Sequence, residues 1–167
     1  TKFNPVWITD FPMFEFDSDS NRYVARHHPF TAPSSSDIKD LDSDPSSLKS
    51  RGYDLTMNGY EIAGGSIRNH QPDIQSKIFE LLGMDKEEIN SRFGFLVDAL
   101  KYGTPPHGGI AFGFDRLIMI LSGSSNIRDV IAFPKTTSAS SLMDESPSPV
   151  SSEQLFDLNI NIIDKKK

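Results

Sequence analysis

Alternating hydrophobic and polar positions on either side of an Asn-Gly pair predict a β-hairpin near the middle of the chain. Residues 53–57 alternate in character, and Asn58-Gly59 is typical of a two-residue type I′ turn leading into residues 60–63. We therefore expect two antiparallel strands here, joined by the tightest turn that a chain can make.

Shorter patterns upstream predict a second hairpin followed by a loop. Residues 6–11 and 23–26 are rich in β-branched and aromatic types and flank a polar turn, so we expect them to pair with each other. Residues 34–50 are rich in Ser and Asp and have no sustained apolar period, which favours a mobile loop. Residues 127–133 could add a last strand.

Periodic apolar positions downstream predict three helices. The first begins at Pro72 and ends at Gly83, and the second is capped by Asp85 and ends at Gly103. Residues 108–114 are expected to form a glycine-bearing strand that leads directly into a helix over residues 115–121. The helices need an apolar surface to cover, and a sheet would provide it.

Composition then narrows the chemistry. The chain has 167 residues, 17 Lys and Arg against 23 Asp and Glu, a formal net charge of −6 and no cysteine. The absence of cysteine excludes disulfides, thiolate metal sites and cysteine nucleophiles. No apolar run is long enough for a membrane span, so we expect one soluble domain with no membrane association. Because the chain starts within a strand-like run and without Met, we interpret it as a piece of a longer protein.

The predicted hairpin places two carboxylates on one face. A two-residue loop pairs Thr56 with Glu61 and Asp54 with Ala63, so Asp54 and Glu61 lie diagonally across the two strands. Two such carboxylates can hold one Mg²⁺ together with substrate phosphates. The alternative, an acidic pair on the solvated face of a sheet, remains open at this point.

Arg68 lies seven residues after Glu61, and this odd offset puts the two side chains on opposite faces of an unbroken strand. A shared site would require the Gly64-Gly65 pair to form a bulge or to let a ligand approach the backbone. The planar guanidinium of Arg68 suits bidentate capture of a carboxylate, whereas the alternative is a weak surface ion pair.

Two further groups are candidates for ligand binding. His27 and His28 precede Pro29, which holds His28 extended and makes the two rings diverge. The other histidines show no zinc-ligand spacing with them. Arg116, in the first turn of the third predicted helix, can stack on a purine and face phosphate charge. Two surface histidines and a helix-start ion pair are the alternatives.

These elements together resemble the C-terminal catalytic segment of the bacterial-type aspartyl-tRNA synthetases, which are class II aminoacyl-tRNA synthetases. The resemblance covers nearly the whole chain, residues 1–167, and its motifs occur in the family's order. It departs from the family at Ala111, which replaces the first glycine of the motif that ends in Asp-Arg. The matching segments are residues 27–31, 53–54, 59–61, 64–68, 93–96, 99–103, 105–109 and 113–116.

The resemblance implies an α+β fold, with an antiparallel β-sheet flanked by helices as in the class II catalytic core. It implies that the longer protein activates L-aspartate with ATP to aspartyl-adenylate and transfers it to tRNA(Asp). ATP would be a substrate and Mg²⁺ a cofactor. The family is homodimeric and cytoplasmic, with an organelle as the alternative location.

Site roles carry over by position. Arg68 would clamp the side-chain carboxylate of aspartate, and His27 would contact the amino acid from a mobile loop with His28 beside it. Glu61 would bind ATP through Mg²⁺, assisted by Asp54. Neither a nucleophile nor a general base is implied.

Arg116 would stack over adenine and meet the γ-phosphate. The rest of the nucleotide wall would be formed by Gly113, Phe114 and Asp115.

Other parts of the family's enzymes have no counterpart here. The anticodon-binding barrel, the dimer-forming motif 1, motif 2 and the inserted domain are missing, so we expect this chain alone to be inactive. The alternatives are an asparaginyl or lysyl synthetase of the same subgroup, and a non-catalytic module that binds a partner or a metabolite.

Overall fold

A four-stranded antiparallel sheet organises the molecule. The structure, a computed structural model, describes residues 2–34, 41 and 44–163. The large sheet has the order β1-β4-β5-β6, and β2 pairs with β3 in a separate two-stranded ribbon. The strands are β1 Pro5–Thr9, β2 Phe14–Asp17, β3 Arg22–Ala25, β4 Gly52–Met57, β5 Tyr60–Ile67 and β6 Gly108–Phe112. The expected antiparallel sheet with flanking helices is confirmed.

The helices begin and end where the sequence predicts. The Asp85 carboxylate accepts a hydrogen bond from the Glu88 amide at 2.8 Å and so caps the second helix. Gly83 and Gly123 follow helices with φ of +78° and +77°, a left-handed conformation that ends a helix at little steric cost. Within the described residues, no helix is both long and apolar enough to cross a membrane. The helices are α1 Pro72–Leu81, α2 Lys86–Leu100, α3 Phe114–Ser122 and α4 Ser152–Asp157.

The central hairpin forms at the predicted turn but has a different register. Asn58 and Gly59 both adopt positive φ, as a type I′ turn requires, and Thr56 pairs with Glu61 as expected. A β-bulge follows, so Asp54 pairs with Gly64 and not with Ala63. The expected bulge at Gly64-Gly65 is therefore wrong in position: it occurs between Glu61 and Ala63.

The predicted pairing of residues 6–11 with residues 23–26 is wrong. β1 instead pairs with β4, about fifty residues later, from Pro5 opposite Met57 to Thr9 opposite Tyr53. β3 has its hairpin partner in β2, which the sequence pattern did not identify. Strand character was read correctly, but partner choice depends on contacts far along the chain.

The segment 34–50 contributes to the core more than its composition suggests. Leu41 and Leu48 are buried, with 4% and 1% of their surfaces exposed. Residues 35–40 and 42–43 lie outside the described part of the chain, and the mobility of this loop stays a prediction. Two leucines in a polar loop are enough to attach it to the ribbon.

The C-terminal region also differs from expectation. Residues 127–133 form no strand; a 3-10 helix, Ile127–Asp129, occupies part of them. The short helix α4 was not predicted and is held by a capping box at Ser151. The tail, residues 164–167, lies outside the described residues.

Three apolar groups hold these elements together. One joins the β2–β3 ribbon to α1 through Met13, Phe14, Leu41, Leu48, Ile78 and Leu82. A second joins β4 and β5 to α3 through Met57, Ile62, Met119 and Ile120, with Leu55 and Leu117 beside them. In the third, Phe30 packs edge-on against Phe79 of α1 and Phe93 of α2, which stack on each other.

β5 and β6 approach each other so closely that only glycine fits at Gly65. A methyl group on Gly65 would lie 2.0 Å from the carbonyl oxygen of Gly109 and 2.9 Å from the Tyr53 ring. The Tyr53 hydroxyl reaches across Gly65 and donates to that same carbonyl at 3.0 Å. Tyr53 thereby ties β4 to β6 over the glycine.

We predict that Gly65→Ala destabilises the chain by about 2 kcal/mol or more, because the added methyl group meets main-chain atoms that no rotamer change can move away. The measurement is urea unfolding followed by circular dichroism. Gly109→Ala is the matched control, since a methyl group there has no neighbour within 4 Å. Equal stabilities of the two variants would contradict the close-approach explanation.

Candidate functional site

The β-bulge brings Asp54 and Glu61 together over Gly64. The extra residue, Ile62, turns the odd offset between Glu61 and the end of β5 into an even one, so both carboxylates reach the same face. A methyl group added to Gly64 would lie 2.8 Å from Asp54 Oδ1 and 3.2 Å from Glu61 Oε1. The carboxylates therefore converge on one point above the Gly64 backbone.

Arg68 opens onto the same cavity as this acidic pair. The cavity has a volume of about 360 Å³ and is lined by Asp54, Glu61 and Arg68, with both His27 and His28 on its wall. Acidic groups and a guanidinium thus share one cavity, as a site for a ligand with charges of both signs requires.

His28 lies directly against the Arg68 guanidinium. Its Nδ1 accepts the Phe30 amide at 3.2 Å and lies 2.9 Å from Arg68 Nη1, which also contacts Nε2. Because an arginine can only donate, the ring accepts and is neutral. Burial and, second to it, the positive charge of Arg68 lower the pKa of His28 below its usual value of 6.5.

His27 has a different environment from its neighbour. It is exposed at the cavity rim, where its ring packs edge-on against Phe11 with 4.6 Å between ring centroids. The rings diverge as predicted, but both line the cavity, and it is His28 that contacts Arg68. Backbone hydrogen bonds fix the segment that carries both: Ala32 donates to Ile67 at 2.9 Å.

A second cavity of about 220 Å³ lies beside the first, where β6 leads into α3. The Arg116 guanidinium extends back from α3 and donates to the main-chain carbonyl of Glu61. Phe114 is 70% exposed, so its ring presents an apolar face to solvent at the cavity. The residues expected to bind a nucleotide all line this cavity: Glu61, Gly113, Phe114, Asp115 and Arg116.

The two cavities meet at Glu61, Gly64 and Ala111, which line both. One end of the combined surface presents Arg68, the other presents Arg116, and the acidic pair lies between them. This arrangement can hold two anionic molecules end to end and bring their reacting groups together over the carboxylates.

Comparison with known proteins agrees with this geometry. A family model described as "tRNA synthetases class II (D, K and N)" matches residues 1–137. The chain belongs to the class II tRNA synthetases. Its departure at Ala111 therefore lies within a recognisable synthetase segment.

Curated relatives of this class II synthetase chain are named aspartate–tRNA ligase. That of Xanthomonas campestris pv. campestris strain B100 is 57% identical over 97% of this chain, and that of Staphylococcus carnosus strain TM300 is 56% identical over 96%. The chain spans 28% and 27% of their lengths.

Two solved structures from Entamoeba histolytica resemble the synthetase fold described here. The aspartyl-tRNA synthetase has a TM-score of 0.59 and 26% identity, covering 82% of this chain and 23% of its own. The asparaginyl-tRNA synthetase in complex with asparaginyl-adenylate has a TM-score of 0.55 and 26% identity, covering 76% and 24%. The fold alone thus resembles both amino-acid specificities.

The acidic pair has the chemistry of a magnesium site. Mg²⁺ in nucleotide enzymes is typically bound by one or two carboxylates and by substrate phosphates, and Asp54 with Glu61 can provide such a pair. Among the described residues, no group of three or more His, Asp or Glu side chains could hold a metal. The residues present fit a metal shared with a nucleotide.

Sequence reasoning did not assign a role to Ser66 and Thr31, which also line the first cavity. The Ser66 hydroxyl is buried, and no atom of the described residues accepts or donates a hydrogen bond to it. An unsatisfied buried hydroxyl costs about 1–3 kcal/mol, so a polar group that reached it would be favoured. Alternation along β5 from Arg68 would have identified Ser66, because residues two apart share a face.

We predict that Arg68→Ala raises the pKa of His28 toward 6.5, because it removes the adjacent positive charge but not the burial. NMR titration of the histidine ring protons in this chain measures the shift. Arg128→Ala, in the 3-10 helix, is the control and should change nothing. An unchanged His28 pKa in Arg68→Ala would contradict the assigned contact.

The sign of the effect on stability follows from the lowered pKa. Between the folded pKa and 6.5 the unfolded chain binds more protons, so the contribution of His28 to the free energy of unfolding is complete above pH 6.5. It is lost as pH falls through the folded pKa. Arg68→Ala should shrink that pH window.

Proposed function

We propose that this chain is the part of an aspartate–tRNA ligase that selects aspartate and binds ATP. The longer protein would convert L-aspartate and ATP to aspartyl-adenylate and pyrophosphate, and then transfer the aspartyl group to tRNA(Asp). The observation that carries this proposal is the pair of adjoining cavities with Arg68 at one end, Arg116 at the other and the acidic pair between them.

Arg68 would recognise the side-chain carboxylate of aspartate. A guanidinium presents parallel donors that match both carboxylate oxygens, and the charge attraction favours aspartate over a neutral amide. His28 and His27 would border the bound amino acid from the loop above. Relatives 56–57% identical and named aspartate–tRNA ligase support this choice over asparagine or lysine.

ATP would occupy the second cavity. Arg116 would stack on adenine and meet the γ-phosphate, and Glu61 with Asp54 would hold the Mg²⁺ that neutralises phosphate charge. The wall of this cavity would be completed by Gly113, Phe114 and Asp115.

Bond formation needs no protein nucleophile in this arrangement. The α-carboxylate oxygen of aspartate would attack the α-phosphorus of ATP, forming the acyl phosphate bond as the bond to pyrophosphate breaks. Positioning and electrostatic stabilisation supply the catalysis, since negative charge builds up where Arg116 and the acidic pair meet. The 2′- or 3′-hydroxyl of the tRNA would then take the aspartyl group and release AMP.

The remaining attributes follow from the family as proposals. The longer protein would work as a homodimer in the cytoplasm, or in an organelle, with tRNA(Asp) as its macromolecular substrate. The chain alone spans only 28% of its relatives' length, and we expect it to be inactive.

We predict that Arg68→Ala in the longer protein raises the KM for aspartate by about a hundredfold or more, because a charge-paired carboxylate loses its partner. The KM for ATP should stay within about twofold, since Arg68 does not line the second cavity. Aspartate-dependent exchange of pyrophosphate into ATP measures both constants.

Arg92→Ala is the matched control for lost positive charge, because Arg92 pairs with Glu88 on the surface of α2. It should leave both constants unchanged. Exchange that depends on asparagine or lysine, and not on aspartate, would refute the proposed substrate. No exchange with any of the three by the folded, unsubstituted longer protein would favour the non-catalytic alternative.

A further inference from the structure

Gln75 is a polar side chain buried inside the helical layer. It lies on the inward face of α1 and exposes only 1% of its surface. Its Nε2 donates to the Pro29 carbonyl at 2.8 Å, and its Oε1 accepts from Asn69 Nδ2 at 3.3 Å. A glutamine this deeply buried is uncommon, and its amide has both ends hydrogen-bonded.

The two partners of Gln75 are the immediate neighbours of two candidate site residues. Pro29 follows His28, and Asn69 follows Arg68, the two residues whose side chains touch in the cavity. One amide group therefore bridges the two backbone segments that present this contact.

Other contacts make the bridge rigid. The Asn69 amide donates to the Phe30 carbonyl at 2.8 Å, so the same two segments are joined beside Gln75 by a backbone hydrogen bond. The ring of Phe30 is fixed by its edge-on packing against Phe79 and Phe93. With its backbone and ring both held, the loop transmits the position of α1 to His28.

We propose that Gln75 is a positioning residue that fixes the geometry of the aspartate end of the site. Its donor sets the height of the His28 loop and its acceptor orients the residue after Arg68, so both must be present for the pocket to match a carboxylate. This inference rests on the proposed function for its substrate, but the contact itself is independent of it.

The test in the longer protein is Gln75→Met, which keeps the length of the side chain and removes both hydrogen bonds. The KM for aspartate should rise about tenfold, the change that corresponds to about 1.4 kcal/mol, which is the order of one buried hydrogen bond. The KM for ATP should stay within about twofold. A general loss of stability would affect both constants or the amount of active enzyme, and would not separate the two.

Ser76→Ala is the matched control on the same helix. Ser76 donates only within α1, to the Pro72 carbonyl at 2.9 Å, and has no recorded contact with the site. Its removal should leave both constants unchanged. Gln75→Glu is the second variant, because an ionised carboxylate can accept from Asn69 but cannot donate to Pro29, and it should also raise the KM for aspartate.

A readout without catalysis separates this inference from the proposed function. In this chain, Gln75→Met should shift the NMR signals of the His28 ring, and Ser76→Ala should not. If the unsubstituted longer protein lacks aspartate-dependent exchange, the proposed function fails, whereas the His28 signals still test the bridge. If it is active and a folded Gln75→Met leaves the aspartate KM and the His28 signals unchanged, the inference fails alone.

Discussion

The arrangement of the site depends on which face of β5 each side chain takes. Residues along a strand alternate between faces, so Glu61 and Arg68, seven positions apart, would point to opposite sides of a regular strand. The single extra residue Ile62 brings both to one cavity while its own side chain remains buried. Close approach at Gly65 then fixes β6, which carries the chain onward to Arg116. Both ends of the site are thus set by backbone geometry within one strand.

The parts of the fold that the sequence predicts are those determined locally. The Asn58-Gly59 turn requires positive φ at both positions, and Asp85 caps α2 through an amide three residues away, so each can be inferred from a few neighbouring residues. Arg68 and Arg116 are predictable as site residues because of their chemistry and their resemblance to a family. Neither inference needs knowledge of distant contacts.

The parts that the sequence does not predict depend on distant pairs. β1 pairs with β4 across the intervening ribbon, and nothing in residues 6–11 encodes that partner over the nearer one. The bulge forms at Ile62, with no glycine or other local signal to mark it. Ser66 and Gln75 are ordinary polar residues in sequence, and they become informative only when burial leaves one without a partner and gives the other two.

The contact between His28 and Arg68 means that the guanidinium already has an acceptor before any ligand arrives. An entering group must displace the imidazole nitrogen, so its net gain is the difference between two acceptors and not the full strength of a new hydrogen bond. A neutral amide oxygen replaces one uncharged acceptor with another and gains little. A carboxylate adds charge attraction to the exchange. On the proposed assignment, the imidazole sets a threshold that weak competitors of aspartate fail to pass.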